Sequence, residues 1–299
     1  MYKKLFLPFL VSVSLMSASL CYASEGQGML SPSTGSSDSV FGGSSSDESE
    51  PVTDAKLQAL LNKLQVQLPT DNGSWSVYIC DLPGESEGGL NAGSMQAASL
   101  IKLYIMGAVY EQYDTITSQY GKEAVDSALY SMITVSDNDC ANTLVNDLGN
   151  GNSSAGMQAV NSFCQTHGYT DTSMGRLLLA DTSTGDNYTS AEDCADFLKE
   201  IYDEEDSDFS HASDMYALLK AQTRRNKIPA QLPQGVKVAN KTGELSDVEN
   251  DAGILYDSEN DLVIVFLSQN LVNASAAHNT IASLSKEIYT YYNQSRPPA

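Results

Sequence analysis

The stretch AASLIKLYIMGAV at 97–109 restricts the possible folds of this chain more than any other. Placed on a helix, Leu100, Ile101, Leu103, Tyr104, Ile105, Met106, Ala108 and Val109 cover every face. A helix that is apolar all round belongs in the core of a sizeable domain. Lys102 interrupts that run, and a buried ammonium is costly unless it is paired or gives up its proton. Ser99 lies three residues earlier on the same helical face. Two readings follow: Ser99 caps the helix while Lys102 snorkels to solvent, or the two side chains work together.

The remaining sequence supplies room for such a core. The run 54–68 has apolar residues at helical spacing, and SWSVYICDL at 74–82 alternates as a strand does. The turn-rich EGGLNAGSMQAAS leads into the helix near Ser99, and helices are predicted at about 122–134, 139–148 and 153–167. The stretch 169–190 has no clear period, and a loop of that length inside a domain is usually functional or disordered. Two amphipathic helices, AEDCADFLKEIY and ASDMYALLKAQ, precede three β-rich runs, VKVANKTGE, DAGILYDSE and DLVIVFLSQ. A closing helix follows at 276–292. Strands at both ends with helices between them predict an α+β fold. An antiparallel sheet is built from the two chain termini, flanked by helices, with a mostly helical lobe inserted.

The first residues bear on compartment. Lys3 and Lys4 precede an apolar run from Leu5 to Leu20, with small residues at Cys21 and Ala23. That layout reads as a signal peptide over 1–23, either cleaved after Ala23 or kept as an anchor. Leu20 before Cys21 argues against a lipid anchor. Residues 24–50 contain 10 Ser among Gly, Asp and Glu, so 24–52 reads as a flexible linker. The folded domain is then 53–299, and we expect a secreted or extracytoplasmic protein that the N-terminal segment can hold at the cell surface. The formal charge is −22, and loss of the leader makes it more negative. That argues against nucleic acid and anionic membranes as partners. Cys80, Cys140, Cys164 and Cys194 permit two disulfides in three connectivities, or four free thiols. His167, His211 and His278 lie far apart in polar surroundings, and no spacing resembles a zinc site.

Ser-x-x-Lys carries no weight alone, because Ser283 and Lys286 repeat it in the closing helix. The odds change with SDN at 136–138 and KTG at 241–243, each found once and in that order after Ser99. SDN falls between two predicted helices and KTG within a predicted strand. On SLIK (99–102), SDNDCANTL (136–144), RRNKIPAQLP (224–233) and NKTGEL (240–245), the chain resembles the β-lactamase/D,D-peptidase superfamily, and class A β-lactamases most. The resemblance runs over nearly the whole domain.

That resemblance implies a set of roles. Ser99 is the nucleophile, Lys102 its base, and Ser136 a proton relay toward the leaving nitrogen, with Lys241 as the second cation that depresses Lys102. Asn138 orients Lys102 and binds a substrate amide. Lys241 and Thr242 hold the substrate carboxylate, Gly243 lies on the same strand, and the N–H groups of Ser99 and Glu244 form an oxyanion hole. No cofactor or metal is called for. Two departures stand out. The interval from Ser99 to Ser136 is about two dozen residues shorter than in class A enzymes, so part of the helical lobe is missing. Aligning TSMGR (172–176) with the start of the long loop places Leu178 where class A enzymes carry a glutamate. Asp181 is the nearest carboxylate and the candidate deacylation base, or an ordinary turn residue.

The expected protein is therefore a monomeric serine hydrolase acylated at Ser99 by β-lactams and slow to deacylate. A D,D-peptidase acting on D-Ala-D-Ala-type peptides would use the same nucleophile. A β-lactam or cell-wall binding module without catalysis is the alternative from another class.

Overall fold

The computed structural model describes residues 53–203, 209–256 and 261–294. The leader, the linker and the last five residues lie outside the described residues. In chain order the elements are α1 (Ala55–Gln65), β1 (Ser74–Asp81), β2 (Ser86–Leu90), β3 (Met95–Gln96), α2 (Ile101–Glu111), α3 (Tyr113–Tyr120), α4 (Lys122–Thr134), α5 (Asn138–Leu148) and α6 (Ser153–Thr166). They continue with β4 (Ser173–Met174), β5 (Asn187–Thr189), α7 (Ala191–Tyr202), α8 (Ala212–Lys220), β6 (Lys237–Leu245), β7 (Val248–Tyr256), β8 (Leu262–Gln269) and α9 (Ala274–Gln294).

The main sheet has the order β2-β1-β8-β7-β6, with every neighbouring pair antiparallel. Its middle joint pairs the start of the domain with its end, Ser74 opposite Gln269 and Asp81 opposite Leu262. The α+β fold and the sheet made from both termini are therefore present. Alternation along the strands divides the apolar side chains into two cores. Val77, Ile79, Ile264 and Phe266 face α1 and α9, packing with Leu57, Leu60, Ile281 and Ile288. Tyr78, Cys80, Val263, Val265 and Leu267 face the helical lobe. Both faces are covered, which is why β8 reads as the unbroken apolar run LVIVFL.

Within the lobe α2 is buried along its length from Ile101 to Tyr110, Lys102 included. The helix is surrounded, as its all-round apolar surface requires. The four described cysteines are free; Cys80, Cys164 and Cys194 are buried and Cys140 is half-buried. Among the described residues, no helix is long and apolar enough to cross a membrane.

Three small elements differ from the sequence reading. The glycine-rich EGGL, read as turn, is edge strand β2, with Gly89 opposite Tyr78. A Cβ at Gly89 would come within 2.6 Å of the Tyr78 ring and of the Val77 carbonyl oxygen, so the glycine fits β1 rather than a turn. The unpatterned stretch 169–190 contributes β4 and β5 to a three-stranded sheet of order β3-β5-β4. Between them, Arg176 Nε donates to Asp186 Oδ1 at 2.9 Å, and both side chains are nearly buried, so a ten-residue excursion closes at its neck.

Candidate active site

Ser99 lies in a 3-10 turn, Ala98–Leu100, that runs straight into α2. Ala98 before it has φ +48, a left-handed conformation that costs an alanine about 1–3 kcal/mol. Contacts from the sheet hold the turn. Asn250 on β7 donates through Nδ2 to Gln96 O at 2.8 Å and Ala97 O at 3.2 Å, while its Oδ1 accepts from Ser268 N at 2.9 Å. Gly243 is the register partner of Asn250. A Cβ on Gly243 would lie 2.8 Å from Ala97 O and 3.2 Å from Ser99 N, so only glycine lets β6 pass this close to Ser99. The edge strand thereby brings the backbone of Glu244 beside the free N–H end of α2.

The side chain of Lys102 is fully buried and surrounded by oxygens. Its Nζ donates to Ser99 Oγ at 3.1 Å, Ser136 O at 2.7 Å, Ser136 Oγ at 3.2 Å and Asn138 Oδ1 at 2.7 Å. The snorkelling reading is thus set aside. Lys241, also fully buried, donates to Ser136 Oγ at 2.9 Å and to Thr242 O at 2.8 Å. Ser136 stands between two amines, at φ +63. The rest of its motif builds the turn: Asp137 Oδ1 accepts from Cys140 N at 2.8 Å and caps α5, which sets Asn138 in the first turn. SDN thus supplies a hydroxyl between two amines, a helix cap and an amide bonded to Lys102 in succession.

Burial, helped by the Arg224 guanidinium, lowers the Lys102 amine to about 8. Burial first, then the nearby Lys102 and Arg224 charges, holds Lys241 well below the usual lysine range. Arg224, a residue to which the sequence reading gave no role, is thus a cation acting on Lys102. It is brought there from a distance: Gln222 Nε2 donates to Ile133 O at 2.8 Å, and Thr223 N to Thr134 O at 3.0 Å. These bonds tie segment 222–224 to the end of α4, just ahead of Ser136. Arg224 Nη1 then reaches Glu244 Oε2 at 3.0 Å while its side chain stays 43% exposed. Ser99, Ser136, Asn138, Arg224, Thr242 and Glu244 line one cleft of about 120 Å³.

Below the cleft, Lys227 is buried between Glu249 Oε2 at 2.6 Å and Glu244 Oε1 at 3.2 Å, and His278 Nε2 lies 2.9 Å from Glu249 Oε1. Glu244, Glu249 and His278 offer ligand atoms within 4.8 Å of one another. The Lys227 ammonium and the Arg224 guanidinium together offset the two carboxylates.

The loop side of the site is apolar. Leu178 is buried and lines a second cavity, of about 240 Å³, beside Ser99. Asn142 on α5 grips its backbone from both sides, Nδ2 to Leu178 O at 3.0 Å and Leu178 N to Oδ1 at 2.9 Å. Asp181 lines neither cavity. It is exposed, and its Oδ1 accepts from Ser183 N at 2.7 Å to cap the 3-10 helix Thr182–Thr184, which is the turn role. Ser283 and Lys286 are exposed on α9.

A family model described as the β-lactamase enzyme family matches residues 115–292. That span includes Ser136, Asn138 and Lys241 and begins after Ser99. A search of curated proteins finds no significant match. Among solved structures, a β-lactamase from Sphaerobacter thermophilus DSM 20745 is similar at 21% identity and TM-score 0.67, covering 80% of this chain and 99% of its own. A class A β-lactamase from Mycobacterium abscessus gives 21% and 0.66, covering 78% and 99%. A leucine-to-glutamate mutant of PBP-A, in its acyl-enzyme complex with penicillin G, gives 20% and 0.68, covering 80% and 97%. With the family model spanning more than half of its length, the chain belongs to the β-lactamase enzyme family, as a serine hydrolase of the acyl-enzyme type.

Proposed function

We propose that the protein is a class A-type enzyme, exported by its leader and tethered by its linker, that β-lactams acylate at Ser99 and that deacylates slowly. The observation that carries this reading is the convergence of Ser99, Ser136 and Asn138 on the buried amine of Lys102. A lysine lowered to about 8 is partly neutral near pH 7 and can accept the Ser99 hydroxyl proton. As the bond from Ser99 Oγ to the lactam carbon forms, the ring C–N bond breaks. Ser136, between Lys102 and Lys241, passes a proton to the departing nitrogen. The N–H groups of Ser99 and Glu244 receive the developing oxyanion. Thr242 and Lys241 face the substrate carboxylate, joined by Arg224, the half-exposed cation of the cleft.

Deacylation needs a water and a base. Leu178 supplies neither, and Asp181 is turned into its own cap. The PBP-A mutant trapped with penicillin G supports penicillins as acylating substrates for this fold. Intact-mass spectrometry after incubation with penicillin G tests the reading. One adduct is expected, lost in Ser99→Ala and kept in Ser283→Ala. An adduct that survives Ser99→Ala overturns the nucleophile. A chain that takes no adduct but cleaves D-Ala-D-Ala peptides is a peptidase instead.

A further inference from the structure

Lys227 has no part in the chemistry above, yet its side chain is fully buried below the cleft. Its ammonium meets four oxygens. Two belong to the carboxylates of Glu249 and Glu244, at 2.6 Å and 3.2 Å. The other two are backbone carbonyls, Gly243 O at 3.2 Å and Asn250 O at 3.0 Å. Taking an ammonium fully out of water is costly, and apolar side chains often serve stability as well as a buried ion pair does. The presence of a lysine at this place calls for a reason.

The two carbonyls supply one. Gly243 and Asn250 are register partners on β6 and β7. Asn250 holds the turn before Ser99 through its amide, and Gly243 lets β6 pass against that turn. The Gly243 carbonyl and the Glu244 N–H belong to one peptide unit, planar and trans, since no cis bond occurs among the described residues. In such a unit the two groups point in opposite directions. Lys227 holds the carbonyl on the β7 side, so the N–H points off the free edge of the sheet, where Ser99 N lies. A cation on a carbonyl oxygen also draws electron density through the amide and makes its N–H a stronger donor.

We propose that Lys227 is a positioning residue for the oxyanion hole: from behind β6 its ammonium fixes and polarises the Gly243–Glu244 peptide, whose N–H receives the oxygen of the acyl group. This deepens, and rests on, acylation at Ser99. Lys227 touches no reacting atom and acts through one peptide, while Glu249 and the side chain of Glu244 keep its ammonium in place.

The test follows the ester carbonyl of the Ser99 adduct by infrared difference spectroscopy, on the full chain mixed with penicillin G isotope-labelled at the lactam carbonyl. The stretching frequency of that carbonyl falls as the oxyanion hole polarises it. Lys227→Met keeps the length of the side chain and removes the charge and the donors. Because it leaves Glu249 buried without its partner, the double variant Lys227→Met with Glu249→Gln is made as well. Glu249→Gln alone keeps the ammonium and is the control. In both variants lacking Lys227 the band should move to higher frequency. Their acylation rate constant at saturating penicillin G should fall about tenfold, short of the 10²–10³-fold cost of a donor lost outright. The saturation constant should change by less than about twofold, because the unreacted carbonyl gains less from the hole. An unshifted band in folded Lys227→Met, or in the double variant, overturns the proposal whatever happens to the melting temperature, and makes Lys227 a scaffold residue. A band that moves as far in Glu249→Gln alone overturns it too. Absence of a Ser99 adduct in the wild type is a failure of the acylation reading instead, so the two failures are distinct.

Discussion

Lys102 is the centre of the proposed chemistry at the scale of one residue. In the proposed mechanism its neutral form is the base, so acylation by penicillin G should climb about tenfold per pH unit below its value of about 8 and level off above it. Rate constants for adduct formation between pH 6 and 9.5 check this; a flat profile places the base elsewhere. Lys102→Arg keeps the charge but cannot release a proton, so acylation should fall by about 10²–10⁴-fold while the variant stays folded. The same residue shows what a sequence can disclose. Its oddness was local, one amine in an apolar run, and could be read without a fold. Arg224 could not be found that way. Nothing in RRNK distinguishes the arginine that enters the cleft from Arg225, whose Nη1 is bonded to Val238 O at 2.8 Å and Asn240 Oδ1 at 2.9 Å. Bonds from Gln222 and Thr223 to the end of α4 make the choice, some ninety residues away.

At the scale of elements, the proposed slow deacylation turns on the loop between β4 and β5. Asn142 fixes the backbone at position 178, so a new side chain there would start from a set point on the cavity wall. Leu178→Glu should therefore speed deacylation by at least about tenfold, within the range usual for a general base. The measurement is the steady-state rate that follows the burst with a chromogenic cephalosporin. Fast steady turnover by the wild type, abolished by Asp181→Asn, would assign the base to Asp181. The long helices and β6 to β8 were legible because each carries its own period or β-rich run. Strand β2 and the small sheet were not. EGGL has glycine where a strand wants bulk, and two- and three-residue strands are too short to show alternation. Their pairing comes from neighbours rather than from their own residues.

On the scale of the whole molecule, the domain closes on itself by pairing β1 with β8, and α1 and α9 cover the joint. Deleting α9 would uncover that face and remove Ile281, Leu284, Ile288 and Tyr292 from the core. At about 1.5–3 kcal/mol for each large side chain, the loss is about 6–12 kcal/mol, comparable with the whole stability of a domain. A chain ending before 274 should show no cooperative melt and no near-UV circular dichroism; a normal melt would mean that the sheet stands without its cover. The free cysteines extend this to kinetics. Cys80, Cys164 and Cys194 sit on β1, α6 and α7 around one core, and burial pushes all three thiols up, the latter two to about 12. A thiol reagent can reach Cys164 and Cys194 only while the core is open, so they are two built-in clocks for that opening, whereas Cys80 also lines a cavity of about 400 Å³. If sheet and lobe open as one unit, the clocks run together; if the lobe loosens first, Cys164 on α6 is labelled ahead of Cys194 on α7, which packs on the sheet.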